Sequence, residues 1–179
     1  AKGKTRLENA AEEPEIDELI NFLNAMGAKI VRTDKRVIEI EGVEKLYGAQ
    51  MLIEPDRNEV VTFAIAAYVT KGDIFVKDVK PDSLAEFLRK LDEVGALYEI
   101  KDNGIRFYAD GPLIGTSITT GAHPGFMTDW QAPWAVLMTQ AEGESIIHEA
   151  VFSNRFGYVT ELRKMGAKIR FINVDVPDP

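Results

Sequence analysis

One pattern recurs three times along the chain, and this limits its fold more than any other feature. Ala1-Lys2-Gly3-Lys4-Thr5-Arg6, Thr70-Lys71-Gly72-Asp73-Ile74-Phe75 and Ala141-Glu142-Gly143-Glu144-Ser145-Ile146 align on glycines 69 and then 71 residues apart. Downstream, an apolar-periodic segment ends each time in Gly-Ala, at Gly27-Ala28, Gly95-Ala96 and Gly166-Ala167, with steps of 68 and 71. Self-similarity at a fixed period marks a supersecondary unit whose copies stack to share a core. The second and third copies carry a helical segment before the glycine and the first does not. The chain is therefore expected to begin inside a unit of a longer protein.

The middle copy defines the unit. Residues 50–54 are a short apolar stretch and read as a strand. Val61, Ile65 and Tyr68 then recur at helical spacing over 58–69, with Lys71-Gly72 as the stop. Residues 74–79 are rich in β-branched and aromatic side chains and read as a strand that Pro81 ends. Ser83 and Glu86 have capping-box spacing before the stripe Leu84, Leu88, Leu91 and Val94. Residues 97–100 and 105–108 flank Asp102-Asn103-Gly104, a tight-hairpin signal. The plan is strand, helix, strand, helix, strand, strand, which predicts α/β architecture. The first copy keeps the second half of it: Ile16, Leu19, Ile20, Leu23 and Met26 on one helix face, then a hairpin over 29–31 and 37–40. The third predicts strands at 114–120, 145–151 and 168–172, helices at 129–140 and around Val159, Leu162 and Met165, and a last hairpin strand beyond Pro179. The boundary between larger divisions falls in 42–55.

Bulk properties exclude several function classes. The net charge of −8 disfavours nucleic acid or an anionic membrane as partner. An anionic ligand would need a few placed basic groups. With no cysteine there is no disulfide, thiolate metal site or cysteine nucleophile in these 179 residues. The two histidines, His123 and His148, are not spaced as a metal pair, and no Gly-rich phosphate loop or serine triad occurs. No apolar run approaches membrane-spanning length.

Four segments occur in order: Leu7-Glu8-Asn9-Ala10-Ala11-Glu12-Glu13-Pro14-Glu15-Ile16, Pro55-Asp56-Arg57, His123-Pro124-Gly125-Phe126-Met127-Thr128-Asp129-Trp130-Gln131 and Val151-Phe152-Ser153-Asn154-Arg155-Phe156. Together they resemble the enolpyruvyl transferases, in particular those acting on UDP-N-acetylglucosamine, over about residues 5–172. The resemblance implies the family's fold, an inside-out α/β prism with two lobes of three β-α-β-α-β-β units each, here incomplete. Residues 1–54 would be the end of the first lobe. Residues 55–179 would open the second, with one full unit over 50–108 and most of another over 113–172. It implies transfer of the enolpyruvyl group of phosphoenolpyruvate to the 3-hydroxyl of UDP-N-acetylglucosamine. That is the first committed step of peptidoglycan synthesis, in the cytoplasm, without cofactor or metal. The remainder of the same enzyme would be the chain's partner, with a cysteine-bearing loop before Ala1 and further phosphate-binding residues beyond both ends. Within the family, an enzyme acting on shikimate 3-phosphate is the neighbouring reading. A non-catalytic nucleotide-sugar-binding paralogue is the reading from another class.

The resemblance gives roles to particular residues. Asp129 matches the general base that accepts the proton of the attacking hydroxyl; at a helix start, Thr128 and Asp129 also suit plain capping. Arg155 matches an arginine beside phosphoenolpyruvate. By itself it is a cation before a helix, against the dipole, which points to an anionic partner in a ligand or a carboxylate. Glu13, Glu15, Asp56 and Arg57 match residues lining the cleft between lobes, and equally suit first-turn acids, a cap and a salt bridge. Val151 and Phe152 match a border of the sugar-nucleotide pocket, with a buried strand end as the plainer role. Gly125 and Phe126 belong to the loop before Asp129. Trp130 and Trp134 are expected in the core, His148 in a structural role and His123 at the pocket edge. Met127 stands where the family usually has proline, Trp130 where it has a smaller apolar residue, and Ser153 where it has an acid. Asn58-Glu59-Val60-Val61 replaces Ile-Glu-Thr-Gly.

Overall fold

A computed structural model describes residues 2–172. The first unit comprises β1 (Lys4–Glu8), α1 (Pro14–Ala25), β2 (Lys29–Asp34) and β3 (Val37–Glu41), and its antiparallel sheet has the order β1-β3-β2. The second comprises α2 (Arg57–Val69), β4 (Asp73–Lys77), a 3-10 turn (Pro81–Leu84), α3 (Ala85–Val94), β5 (Leu97–Lys101) and β6 (Gly104–Tyr108), and its sheet has the order β4-β6-β5. The two sheets share one topology: the last strand of the hairpin enters the centre and pairs on both sides. The third unit has β7 (Ile118–Thr119), a 3-10 turn (Thr128–Trp130), α4 (Gln131–Met138), β8 (Ile147–His148) and α5 (Tyr158–Lys164). Strands β7 and β8 pair in parallel, as a strand-helix-strand crossover demands.

Burial follows the sequence pattern. Helix α2 is apolar nearly all round and is the most enclosed: Val60, Val61, Ala64, Ile65, Ala67 and Tyr68 are all buried. Helix α3 is amphipathic. Phe87, Leu88, Leu91 and Val94 face the core, while Arg89 pairs with Glu86 and Glu93 on the outer face. Ile105 and Phe107 of β6 are fully buried on the inner face of the second sheet. Phe87, Phe126, Trp130 and Trp134 form a cluster of edge-on aromatic pairs with centroids 5.3–6.1 Å apart. This cluster anchors the 3-10 turn that carries Asp129. Val61 is fully buried in the core.

Some expected elements do not form, for identifiable reasons. Residues 50–54 carry no ladder. Their one backbone tie is the Glu54 amide donating to Glu18 Oε1 at 2.6 Å. The strands expected at 114–120 and 145–151 shrink to two residues each, and 168–172 form none. In both complete sheets the central strand supplies the ladder for the outer two. Among the described residues the third unit has no central strand, so 145–151 is held only where β8 meets β7 and 168–172 joins no ladder. The helix expected over 129–140 begins as a 3-10 turn and ends at Met138. The capping box at Ser83 is absent: Ser83 Oγ donates to Lys80 O inside its own turn. The hairpin over 97–108 forms as expected, but Gly104 serves a different purpose. A Cβ there would lie 2.1 Å from Val76 O, so the glycine lets β4 approach β6. Gly95, by contrast, closes α3 in the left-handed conformation at φ 75° with only Pro112 O near, at 3.9 Å.

Gly95→Ala should therefore cost about 1–2 kcal/mol of left-handed strain, and Gly104→Ala should cost more, because backbone must move. Urea denaturation of the two variants measures the order, and an equal or smaller loss at Gly104 would contradict the contact.

Candidate functional site

Three helical starts converge on one cleft. They are the first turns of α1 and α2 and the 3-10 turn before α4, and they bound a space of about 900 Å³ lined by Glu13, Glu15, Asp56, Arg57, His123 and Asp129 among others. Each start presents acids, which the positive end of a helix favours. Asp56 caps α2 by accepting from the Asn58 amide at 2.8 Å. Eight carboxylates line the cleft in all (Glu12, Glu13, Glu15, Asp17, Glu18, Glu54, Asp56 and Asp129), against two basic side chains, Arg57 and Lys80. Both of those are engaged, Lys80 by Glu54. This wall suits hydroxyl and amide groups better than a bare anion. No group of three or more His, Cys, Asp or Glu is arranged to hold a metal among the described residues.

Arg57 is the pivot of the cleft floor. Its side chain is 3 % exposed, and Glu15 meets it in a two-pronged pair, Nε to Oε1 at 2.7 Å and Nη2 to Oε2 at 2.8 Å. The pair joins α1, before the connecting segment, to α2, after it. Arginine only donates, so His123 Nδ1, 3.3 Å from Nη1, acts as acceptor. The His123 amide reaches Glu13 Oε1 at 3.4 Å, and Glu13 Oε2 is buried without a partner among the described residues. Burial alone would raise the Glu15 carboxyl. The Arg57 hydrogen bond, a backbone hydrogen bond and the neighbouring positive charge of Arg57 together outweigh that and hold it below its ordinary 4.5.

Asp129 does not cap its turn. Its Oδ1 pairs with Arg155 Nη2, and among the described residues no side chain or amide engages Oδ2. Arg155 Nη1 also donates to Thr128 Oγ1 at 2.9 Å, and the Phe152 ring lies 5.3 Å from the guanidinium carbon. The carboxylate expected to face Arg155 is thus Asp129 itself, and the two expected key residues sit side by side.

Other expected residues lie elsewhere. Phe126 is 2 % exposed and belongs to the aromatic core, because its ring packs on Trp130 and Trp134. Gly125 closes a turn, its amide donating to Ala122 O at 2.7 Å. Val151 and Phe152 are exposed and lie outside the cleft lining; both their amides donate to Glu149 Oε1 at 2.9 Å. Glu149 escaped the sequence reading. It sat inside an expected strand, where only its alternation with His148 was visible. Its other oxygen accepts from Thr128 Oγ1 at 2.8 Å and Gln131 Nε2 at 2.6 Å. Burial would raise its carboxyl, but the hydrogen bonds from Phe152, Thr128 and Val151 hold it below the ordinary value. Trp130 and Trp134 are core residues as expected; Trp130 Nε1 donates to Asn58 Oδ1 at 2.9 Å.

The two halves of the Arg57–Glu15 pair should respond differently to removal. Glu15→Ala strands a buried guanidinium and should cost about 3 kcal/mol. Arg57→Met leaves a carboxylate that water reaches and should cost less. Because the folded-state carboxyl of Glu15 is depressed, its contribution is complete above the ordinary value and is lost as pH falls through the lower, folded one. Denaturant titrations of both variants from neutral to acid pH should show Glu15→Ala with the larger loss at neutral pH and both variants with a flatter acid limb than the parent. The reverse order would contradict the pairing.

The family model for EPSP synthase (3-phosphoshikimate 1-carboxyvinyltransferase) matches residues 1–175. A UDP-N-acetylglucosamine 1-carboxyvinyltransferase of Protochlamydia amoebophila is 46% identical over 170 residues, 94% of this chain and 37% of that protein. UDP-N-acetylglucosamine 1-carboxyvinyltransferase 1 of Staphylococcus aureus is 44% identical over 169 residues, 94% of this chain and 40% of that protein. The chain thus spans about two fifths of the length of these relatives. Among solved structures, the enolpyruvyl transferase NikO from Streptomyces tendae superposes with a TM-score of 0.80 at 26% identity, over 91% of this chain and 39% of that one. EPSP synthase from Acinetobacter baumannii, at a TM-score of 0.57 and 21% identity over 82% of this chain and 35% of that one, shares the fold. The match of the family model over residues 1–175 thus places this chain in the EPSP synthase (3-phosphoshikimate 1-carboxyvinyltransferase) family.

Proposed function

We propose that this chain is part of an enzyme that transfers the enolpyruvyl group of phosphoenolpyruvate to the 3-hydroxyl of UDP-N-acetylglucosamine, in the cytoplasm, for peptidoglycan synthesis. Residues 1–54 end one lobe, residues 55–179 open the other, and the cleft lies between them. The observation that carries this reading is the placement of Asp129. One carboxylate oxygen is held by Arg155, and the other is open at a cleft wall rich in acceptors for sugar hydroxyls. Identities of 44–46% to enzymes named for UDP-N-acetylglucosamine favour that acceptor over shikimate 3-phosphate.

In the reaction, the acceptor oxygen forms a bond to the central carbon of phosphoenolpyruvate. The bond between that carbon and the phosphate oxygen breaks, and inorganic phosphate leaves. The hydroxyl proton must be removed, and Asp129 Oδ2 is the group placed to take it. Arg155 fixes the carboxylate and, as a permanent cation, steadies negative charge on the donor substrate. Glu13, Glu15, Asp56 and Arg57 shape the same wall. Gly125 and Phe126 set the loop that carries Asp129, and Val151 and Phe152 border the site through the segment that carries Arg155. The remaining cations for the phosphates come from the rest of the protein, since the two on this wall are already paired.

Asp129→Asn in the full-length protein should lower turnover by about 10²–10⁴-fold while leaving ligand binding nearly unchanged. Phosphate release measured with UDP-N-acetylglucosamine and with shikimate 3-phosphate checks both the base and the acceptor. An undiminished rate would remove the base, and turnover of shikimate 3-phosphate alone would replace the acceptor.

A further inference from the structure

Glu149 lies outside the cleft lining, yet it ties together every segment that carries the Asp129–Arg155 pair. Its Oε1 receives the amides of Val151 and Phe152, which lead to Arg155. Its Oε2 receives the Thr128 hydroxyl, next to Asp129, and the side-chain amide of Gln131, the first residue of α4. Gln131 is 1 % exposed, so this end of the network is closed to water. Four donors on two oxygens fill an ionised carboxylate and leave no site for a proton.

Donor and acceptor accounting then fixes the Thr128 hydroxyl. A threonine has one proton, and Glu149 can only accept, so the proton points to Glu149. The lone pairs of Oγ1 face Arg155 Nη1, which can only donate, at 2.9 Å. Arg155 is thereby held by two acceptors, Thr128 through Nη1 and Asp129 through Nη2. We propose that Glu149 is a positioning residue: through the forced polarity of the Thr128 hydroxyl, it orients Arg155 and with it the Asp129 carboxylate. This rests on the reading of Asp129 as the base. The ionised state of Glu149, held by its hydrogen bonds, agrees with the assignment. A neutral amide at 149 would present its NH₂ to one pair of donors. Turned toward Thr128, it would force the hydroxyl proton against the guanidinium and release Arg155.

The test uses the full-length protein and steady-state comparisons of phosphate release from phosphoenolpyruvate with UDP-N-acetylglucosamine. Thr128→Val removes the link at nearly constant shape. It should lower kcat at least tenfold with little change in KM and an unchanged melting temperature. Thr128→Ser should restore what Thr128→Val loses. Glu149→Gln should lower kcat similarly, and adding it to Asp129→Asn should cause no further loss, because both act on one group. If Thr128→Val turns over like the parent while Asp129→Asn does not, the positioning role is wrong and the base stands. If Glu149→Gln and Asp129→Asn multiply their losses, Glu149 acts independently and the proposal is overturned. If Asp129→Asn keeps full turnover, the base reading fails and this inference falls with it.

Discussion

A buried guanidinium meeting a carboxylate from the far side of a connecting segment organises this molecule. Arg57 opens α2, where the helix dipole disfavours a cation, and its side chain is almost wholly buried. Such a group persists only if an anion is delivered to it in good geometry. Glu15, in the first turn of α1, delivers that anion through both oxygens. The pair therefore fixes where α1 lies against α2. The cleft, bounded by the starts of both helices and by the turn carrying Asp129, takes its shape from that constraint. The aromatic cluster of Phe87, Phe126, Trp130 and Trp134 holds the third side.

The repeat explains why one fold supplies three helix starts to one place. The helices and hairpins of the first two units were legible in the sequence; the shared strand order, with the late hairpin strand at the centre, was not. Their signals are local: the stripe of α3, the glycine at its end and the turn at Asp102-Asn103. What was not legible depended on partners distant in the chain. Residues 145–151 and 168–172 have strand composition, but a strand needs a neighbour to satisfy its backbone, and no central strand is present among the described residues. Phe126 sits in a loop, where periodicity says nothing of burial. Only the packing of two tryptophans on it shows that it is core.

The site divides in the same way. Asp129 and Arg155 were found through motifs, each with a plainer role beside it. Asp129 does no capping, and the carboxylate that Arg155 needed is Asp129. Glu149 carries no motif and no periodic signal, since its importance lies in four donors arriving from two separate segments. An acidic wall with its cations already paired also gives the net charge of −8 a local meaning. Such a wall suits neutral, hydroxyl-bearing groups better than phosphates.

The central claim is that Asp129 takes a proton from an acceptor hydroxyl in this cleft. A crystal structure of the full-length protein with UDP-N-acetylglucosamine bound tests it most directly. The 3-hydroxyl should lie about 2.6–3.2 Å from Asp129 Oδ2, with Arg155 still on Oδ1. A sugar nucleotide seated with that hydroxyl beyond reach of Asp129, or in a different part of the molecule, would contradict the account.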